Sequence, residues 1–149
     1  MKDLETIRPN FDTMIYRWIQ NGIRQIHAKR MIVESRNPFE IREARERLAF
    51  RESEAGTIRD ELVGLFVKNA AGQPTFCDEY EFRLQQIWQA NGRVEESKRR
   101  IVKAVRKNDK IAEVFFRDEL KSDEIAAGLA VENLFRTLVD AMRNEERIA

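Results

Sequence analysis

An all-α bundle of four to five helices, two of them long and the assembly open to dimerisation, is the fold class this sequence predicts. Three observations carry it. Apolar side chains recur at alternating spacings of three and four along Ile41, Ala44, Leu48, Arg51, Ala55, Ile58, Leu62 and Leu65. The same spacing runs along Tyr80, Leu84, Ile87, Asn91, Val94, Lys98, Ile101 and Val105. Each run is one seam of an amphipathic helix. No period-two alternation persists beyond a few residues. Finally, charged residues make up 36% and hydrophobic residues 42% of the chain. That charge exceeds the quarter or so of an average soluble protein, while the apolar content is too high for a disordered one. One helical domain is expected over residues 1–149, long enough to bury a core without disulfide or metal.

A polar lead-in, residues 1–9, ends at Pro9. From there Phe11, Met14, Ile15, Trp18, Ile19, Ile23 and Ile26 share one broad face, so a first helix runs to about Ser35. Asn37, Pro38 and Glu40 start the second: Asn caps, Pro is preorganised at the first helical position, and Glu reaches back to the cap. The seam carries this helix to about Asn69. Ala70-Ala71-Gly72-Gln73-Pro74, the main break in the chain at 70–74, then stops it. A third helix begins near Asp78. Asn91-Gly92 reads in isolation as a turn, but the heptad phase survives it, which favours a continuous or merely kinked helix. Asn108-Asp109 is a further break, followed by a short helix bearing Ile111, Val114, Phe115 and Leu120. Ser122 then caps a last helix, with Asp123 and Glu124 suited to the positive end of its macrodipole and a seam of Ala127, Val131, Leu134, Leu138 and Ala141. Arg51, Asn91 and Lys98 stand where the seams want apolar side chains. Either they set register, or they lie at the core's edge because heptad and helix drift apart by about 20° per repeat.

The residue types of common enzymes are mostly missing. His27 is the only histidine and Cys77 the only cysteine, so a histidine-based triad, a two-histidine metal site and a zinc cluster all lack members. Glu40, Glu43 and Glu46 interleave with Arg42, Arg45 and Arg47, the pattern of i,i+4 pairs on a solvated face. The six glycines form no phosphate-binding spacing. No catalytic residue, metal or cofactor is assigned, and a non-enzymatic protein is expected. Net charge is +1, so any electrostatic partner site must be local. No apolar run approaches the eighteen or so residues that span a bilayer. MKDLETIRPN lacks the apolar core of a secretory signal, and a cytoplasmic location is expected.

Two features point to a partner. Between Arg93 and Lys110 eight basic residues stand against three acids. On a helical wheel Arg99, Lys103, Arg106 and Lys110 form one stripe, with Arg93, Arg100 and Lys107 beside it and Val94, Ile101 and Val105 pointing away. This basic ridge suits phosphates or an acidic protein; the alternative is that the acid-rich stretch after residue 111 neutralises it within the molecule. The second feature is aromatic. Phe115 and Phe116 lie about 100° apart on a helix, so both facing one small core is difficult, and they are the candidate apolar contact.

Ser122-Asp123-Glu124-Ile125-Ala126-Ala127-Gly128-Leu129-Ala130-Val131 resembles the first helix and turn of helix-turn-helix readers, whose motif often runs E-I-A-x-x-L-G-V. The resemblance implies DNA recognition over 122–139. A single continuous helix on the 127, 131, 134, 138 seam accounts for the same residues. The expected function is therefore that of a helical adaptor, inhibitor or small subunit that binds a protein partner or itself. No membrane or small-molecule substrate is inferred. The alternative is a nucleic-acid-binding protein using the ridge 93–110 or a degenerate helix-turn-helix at 122–139.

Overall fold

The computed structural model describes residues 3–148. Among these the regular elements are all helical: α1 Leu4–Glu34, α2 Pro38–Gly64, a short 3-10 helix Ala70–Gly72, α3 Pro74–Arg106 and α4 Lys110–Ile148. The all-α class is as expected, but all four α-helices are long, from 27 to 39 residues. No helix among the described residues is long and apolar enough to cross a membrane. The helices belong to two compact units, one holding residues up to Gly72 and those from Leu138 on, the other Gln73–Thr137. One boundary between them falls between Gly72 and Gln73, and the other inside α4, between Thr137 and Leu138.

In the first unit, α1 starts earlier than expected. Asp3 caps it by accepting from the Glu5 amide at 3.0 Å, so the lead-in is helical from Leu4 (Met1 and Lys2 lie outside the described residues). Pro9 sits inside the helix. It cannot donate to the Glu5 carbonyl, but both residues are exposed and water can take that acceptor. Buried Ile7 stays in phase with buried Phe11, Ile15 and Trp18, which favours the longer helix. The helix ends at Ser35, as expected, and Asn37 caps α2 by accepting from the Phe39 amide at 2.9 Å. Glu40 reaches the cap indirectly: it accepts from the Ser35 hydroxyl at 2.7 Å, and that hydroxyl oxygen accepts from the Asn37 amide. Contacts of Asn21 with Glu54 and of Arg17 with Glu61 run in opposite directions along the chain, so α1 and α2 are antiparallel.

α2 stops at Gly64 instead of Asn69. Phe66 and Val67 are both buried, and successive residues are about 100° apart on a helix, so one face could not bury both with Leu62. The chain leaves the helix, and Phe66 packs edge-on against Phe11 with ring centroids 6.0 Å apart. The Glu145 carboxylate accepts from the amides of Lys68 at 2.9 Å and Asn69 at 3.0 Å, replacing the lost helical partners.

In the second unit, α3 begins at Pro74 because Phe76, buried with Tyr80 and Leu84, extends the inner face by a turn. It continues unbroken through Asn91-Gly92, where Asn91 Nδ2 donates to the Ile87 carbonyl at 2.8 Å. Its inner line runs from Ala90 and Val94 to Ser97, Ile101 and Ala104, while Lys98 and Val105 are exposed. The heptad has drifted off the core, as a straight helix requires. Asn108 adopts φ 55. The Asn108 amide donates to the Val105 carbonyl and the Asp109 amide to that of Ala104, the bond pair of a left-handed helix stop. Asp109 Oδ1 then accepts from the Ala112 amide at 3.1 Å and caps α4.

The short helix and separate last helix expected after Asp109 are one. Ser122 is no cap; α4 passes through it. No glycine or proline lies between Lys110 and Ala127, and half-buried Phe116, Leu120, Asp123 and Ala127 stay in phase with buried Ala130, Leu134 and Leu138. The helix-turn-helix reading of 122–139 fails for the same reason, since it needs a turn near Gly128–Ala130 where the helix is continuous.

Candidate functional site

The end of the second unit where α3 meets α4 gathers most of the residues singled out from sequence. Ser97 Oγ donates to Asp123 Oδ2 at 2.7 Å, and the Arg100 guanidinium lies 5.6 Å from the Phe116 ring centroid. These two contacts run in opposite chain directions, so α3 and α4 are antiparallel here, closed by the Lys107–Asp109 turn. Between them lies a groove of about 320 Å³. Its apolar lining is Ala104, Ala112 and Phe116, and its polar lining is Arg100, Lys103, Lys107 and Asp109.

Electrostatics divide the ridge in two. Glu96 holds Arg99 at 3.6 Å and Arg100 at 3.4 Å, and Glu95 holds Lys98 at 3.6 Å. Beyond them, among the described residues, Lys103, Arg106, Lys107 and Lys110 have no carboxylate within ion-pair distance, and the one acid among them, Asp109, is engaged with the Ala112 amide. A hollow of about 700 Å³ follows the outer face of α3 past Arg99, Val102, Lys103 and Arg106. Arg93 stands apart, lining a separate groove of about 340 Å³ with Glu119, Ser122 and Asp123, where the charge is mixed. Lys107 and Lys110 are not on the α3 stripe, because the helix ends at Arg106; they flank the turn instead.

Phe115 and Phe116 separate as their spacing implies. Their rings touch edge-on at 5.5 Å. Phe116 is half-buried in the groove, whereas Phe115 is exposed. Ala104, Ala112 and Asp109 complete the groove and were not singled out from sequence. Small residues carry no chemical signal, and the groove lies beside the turn in which Asn108 takes the left-handed conformation.

A polar cluster in the first unit includes Arg51, flagged by its seam position, but its other members, Asn21, Gln25 and Glu54, escaped sequence reasoning. Asn21, fully buried, donates through Nδ2 to the Arg51 carbonyl at 2.8 Å and to Glu54 Oε1 at 2.9 Å, and accepts from Gln25 Nε2 at 2.8 Å. Arg51 pairs with Glu54 at 3.1 Å. The hydrogen bond from Asn21 is the main cause holding the Glu54 carboxyl below its ordinary pKa, with Arg51 adding to it against the desolvation of partial burial. The interior members of this cluster have partners, and it offers no open coordination position. Among the described residues no three His, Cys, Asp or Glu side chains converge.

Compared with known proteins, the chain matches no family model, no curated sequence and no solved structure.

Proposed function

We propose that this is a non-enzymatic helical interaction protein, an adaptor, inhibitor or small subunit, that binds an acidic protein segment at the α3–α4 end. The observation that carries the reading is the group of cations, Lys103, Arg106, Lys107 and Lys110, that have no carboxylate partner among the described residues, beside a groove with an apolar floor. An acidic helix or extended segment could set carboxylates on Lys103 and Lys107 and an apolar side chain over Ala104, Ala112 and Phe116. Charge would then set association rate and orientation, and the apolar anchor most of the affinity. The experiment is affinity capture from the native host after nuclease treatment, comparing the wild type with Lys103→Glu/Lys107→Glu. A protein retained by the first and lost by the second supports the proposal; identical capture by both rejects it.

A second reading is nucleic-acid binding through the outer stripe of Arg99, Lys103 and Arg106. It is favoured by the position of these cations on one exposed helix face, and disfavoured by Glu95 and Glu96 at the stripe's base. It requires retention on duplex DNA or RNA that falls steeply with salt. Passage through such a column at low salt rejects it.

A further inference from the structure

The outer face of α4 carries a second surface, distinct from the basic groove. Ile111, Phe115, Asp118, Ser122, Ile125 and Leu129 alternate at spacings of four and three, the register that one helix presents to another. Stepping about 100° per residue, this line lies opposite the inward line of Phe116, Leu120, Asp123 and Ala127. Its four apolar members are between 57% and 86% exposed. Phe39, Phe50 and Phe82 are as exposed as Phe115, but each has a guanidinium group of its own helix within 5.7 Å of its ring centroid. Among the described residues Phe115 has no such cationic neighbour.

We propose that a second copy of this chain packs on this face in antiparallel orientation, with the twofold axis between Asp118 and Ser122. The seam complements itself in that sense. Ile111 meets Leu129 of the second copy, Phe115 meets its Ile125, and Asp118 meets its Ser122, each contact occurring twice as an isologous interface demands. A parallel pair would instead place Asp118 against Asp118 in one layer and bring the two basic ends together. The antiparallel pair gives each Asp118 a hydroxyl donor and the Lys121 ammonium of the other copy, and it sets the two Lys110 ends about 30 Å apart along the helices. A Cβ at Gly128 would meet nothing within 4 Å, which leaves room for Val114 of the second copy. The polar central layer weakens the pair but selects its register. The inference does not depend on the acidic-partner reading, because it uses the opposite face of α4.

Sedimentation velocity of the full chain from low to high micromolar concentration tests it. The wild type is expected to rise from 17.6 kDa toward twice that mass. Ile125→Glu and Leu129→Lys should stay monomeric with unchanged helical circular dichroism, since both sites are exposed, while Lys103→Glu should dimerise like the wild type. A wild type monomeric throughout, or an Ile125→Glu chain that still dimerises, overturns the proposal. Orientation is read by oxidation in a Cys77→Ser background: Asp118→Cys mixed with Ser122→Cys should form a disulfide between the two variants. Self-linked Asp118→Cys without the mixed product overturns the antiparallel arrangement.

Discussion

Two regions of this molecule concentrate polar side chains on their helices, and they do so in opposite ways. In the α1–α2 pair, the off-pattern side chains turn inward: Asn21 and Gln25 are buried, and Asn21 bonds Glu54 and the Arg51 carbonyl on the facing helix. At the α3–α4 end, Lys103, Arg106 and Lys107 turn outward, and among the described residues no carboxylate comes within ion-pair distance of them. A buried amide bonded across a helix pair fixes which turn of one helix faces which turn of the other. Repelling cations on a helix end do nothing comparable for the fold. The first cluster is accounted for by folding and the second is not, which is the physical reason to look for a partner at the second.

Truncating the buried amide should have the largest effect. Asn21→Ala leaves Gln25 and the Arg51 carbonyl short of a partner and takes from Glu54 its principal donor. The expected loss is about 3 kcal/mol of unfolding free energy, comparable to the 2–5 kcal/mol or so expected for Leu62→Ala in the adjoining apolar core. Urea denaturation of both variants measures it. A loss below about 0.5 kcal/mol, the scale of an ordinary surface change, would mean that the cluster does not hold the helix pair.

The α3–α4 end depends on backbone conformation. Asn108 at φ 55 occupies the left-handed region, which costs a β-branched residue about 1–2 kcal/mol and glycine nothing. Asn108→Val is therefore expected to lower stability by that amount and Asn108→Gly to preserve it, as read from thermal melts. Equal melts for the two would show that the turn relaxes to another shape, and the groove would no longer be a preformed feature.

Legibility in the sequence followed the same division. The seams of α2 and α3 could be read because a repeat of three and four has one solution, and Asn37-Pro38 could be read because cap chemistry is local. Three things were hidden. The early end of α2 depends on Phe66 and Val67 both finding interior positions, with Glu145 arriving from far along the chain to take the freed amides. The length of α4 was concealed by Ser122-Asp123-Glu124, which looks like a helix start but lies on a helix already running, with Asp123 bonded to Ser97. The groove was invisible because Ala104 and Ala112 matter only for what they leave open.

The inward cluster also responds to acid. The Glu54 carboxyl is held below its ordinary pKa by Asn21 first and by Arg51. The folded state therefore binds this proton less readily than the unfolded chain, and the resulting stability is complete above the ordinary glutamate value. It fades as pH falls from the ordinary glutamate range through the lowered folded value. Glu54→Gln should lose about 1 kcal/mol at neutral pH and show a flatter decline of melting temperature on acidification. A decline as steep as that of the wild type would remove Glu54 from the acid-sensitive groups.

The smallest expected change concerns the outward cations, and its smallness is the point. Lys103 lies four residues from both Arg99 and Lys107 and three from both Arg100 and Arg106, so it has like charges on every side. Each such i,i+4 pair opposes the helix by about 0.2–0.5 kcal/mol, while a cation in the last turn gains about 0.3–1 kcal/mol from the helix dipole. The two effects nearly cancel, and Lys103→Glu should shift stability by less than about 0.5 kcal/mol in either direction. Low salt should favour the variant, because screening weakens the repulsion that the substitution removes. A folding energy this indifferent to a reversed charge, together with loss of partner capture, would separate what the ridge does for binding from what it does for the helix. Destabilisation by 2 kcal/mol or so, the size expected of a broken buried contact, would instead show that Lys103 has an internal partner and would return the ridge to the fold.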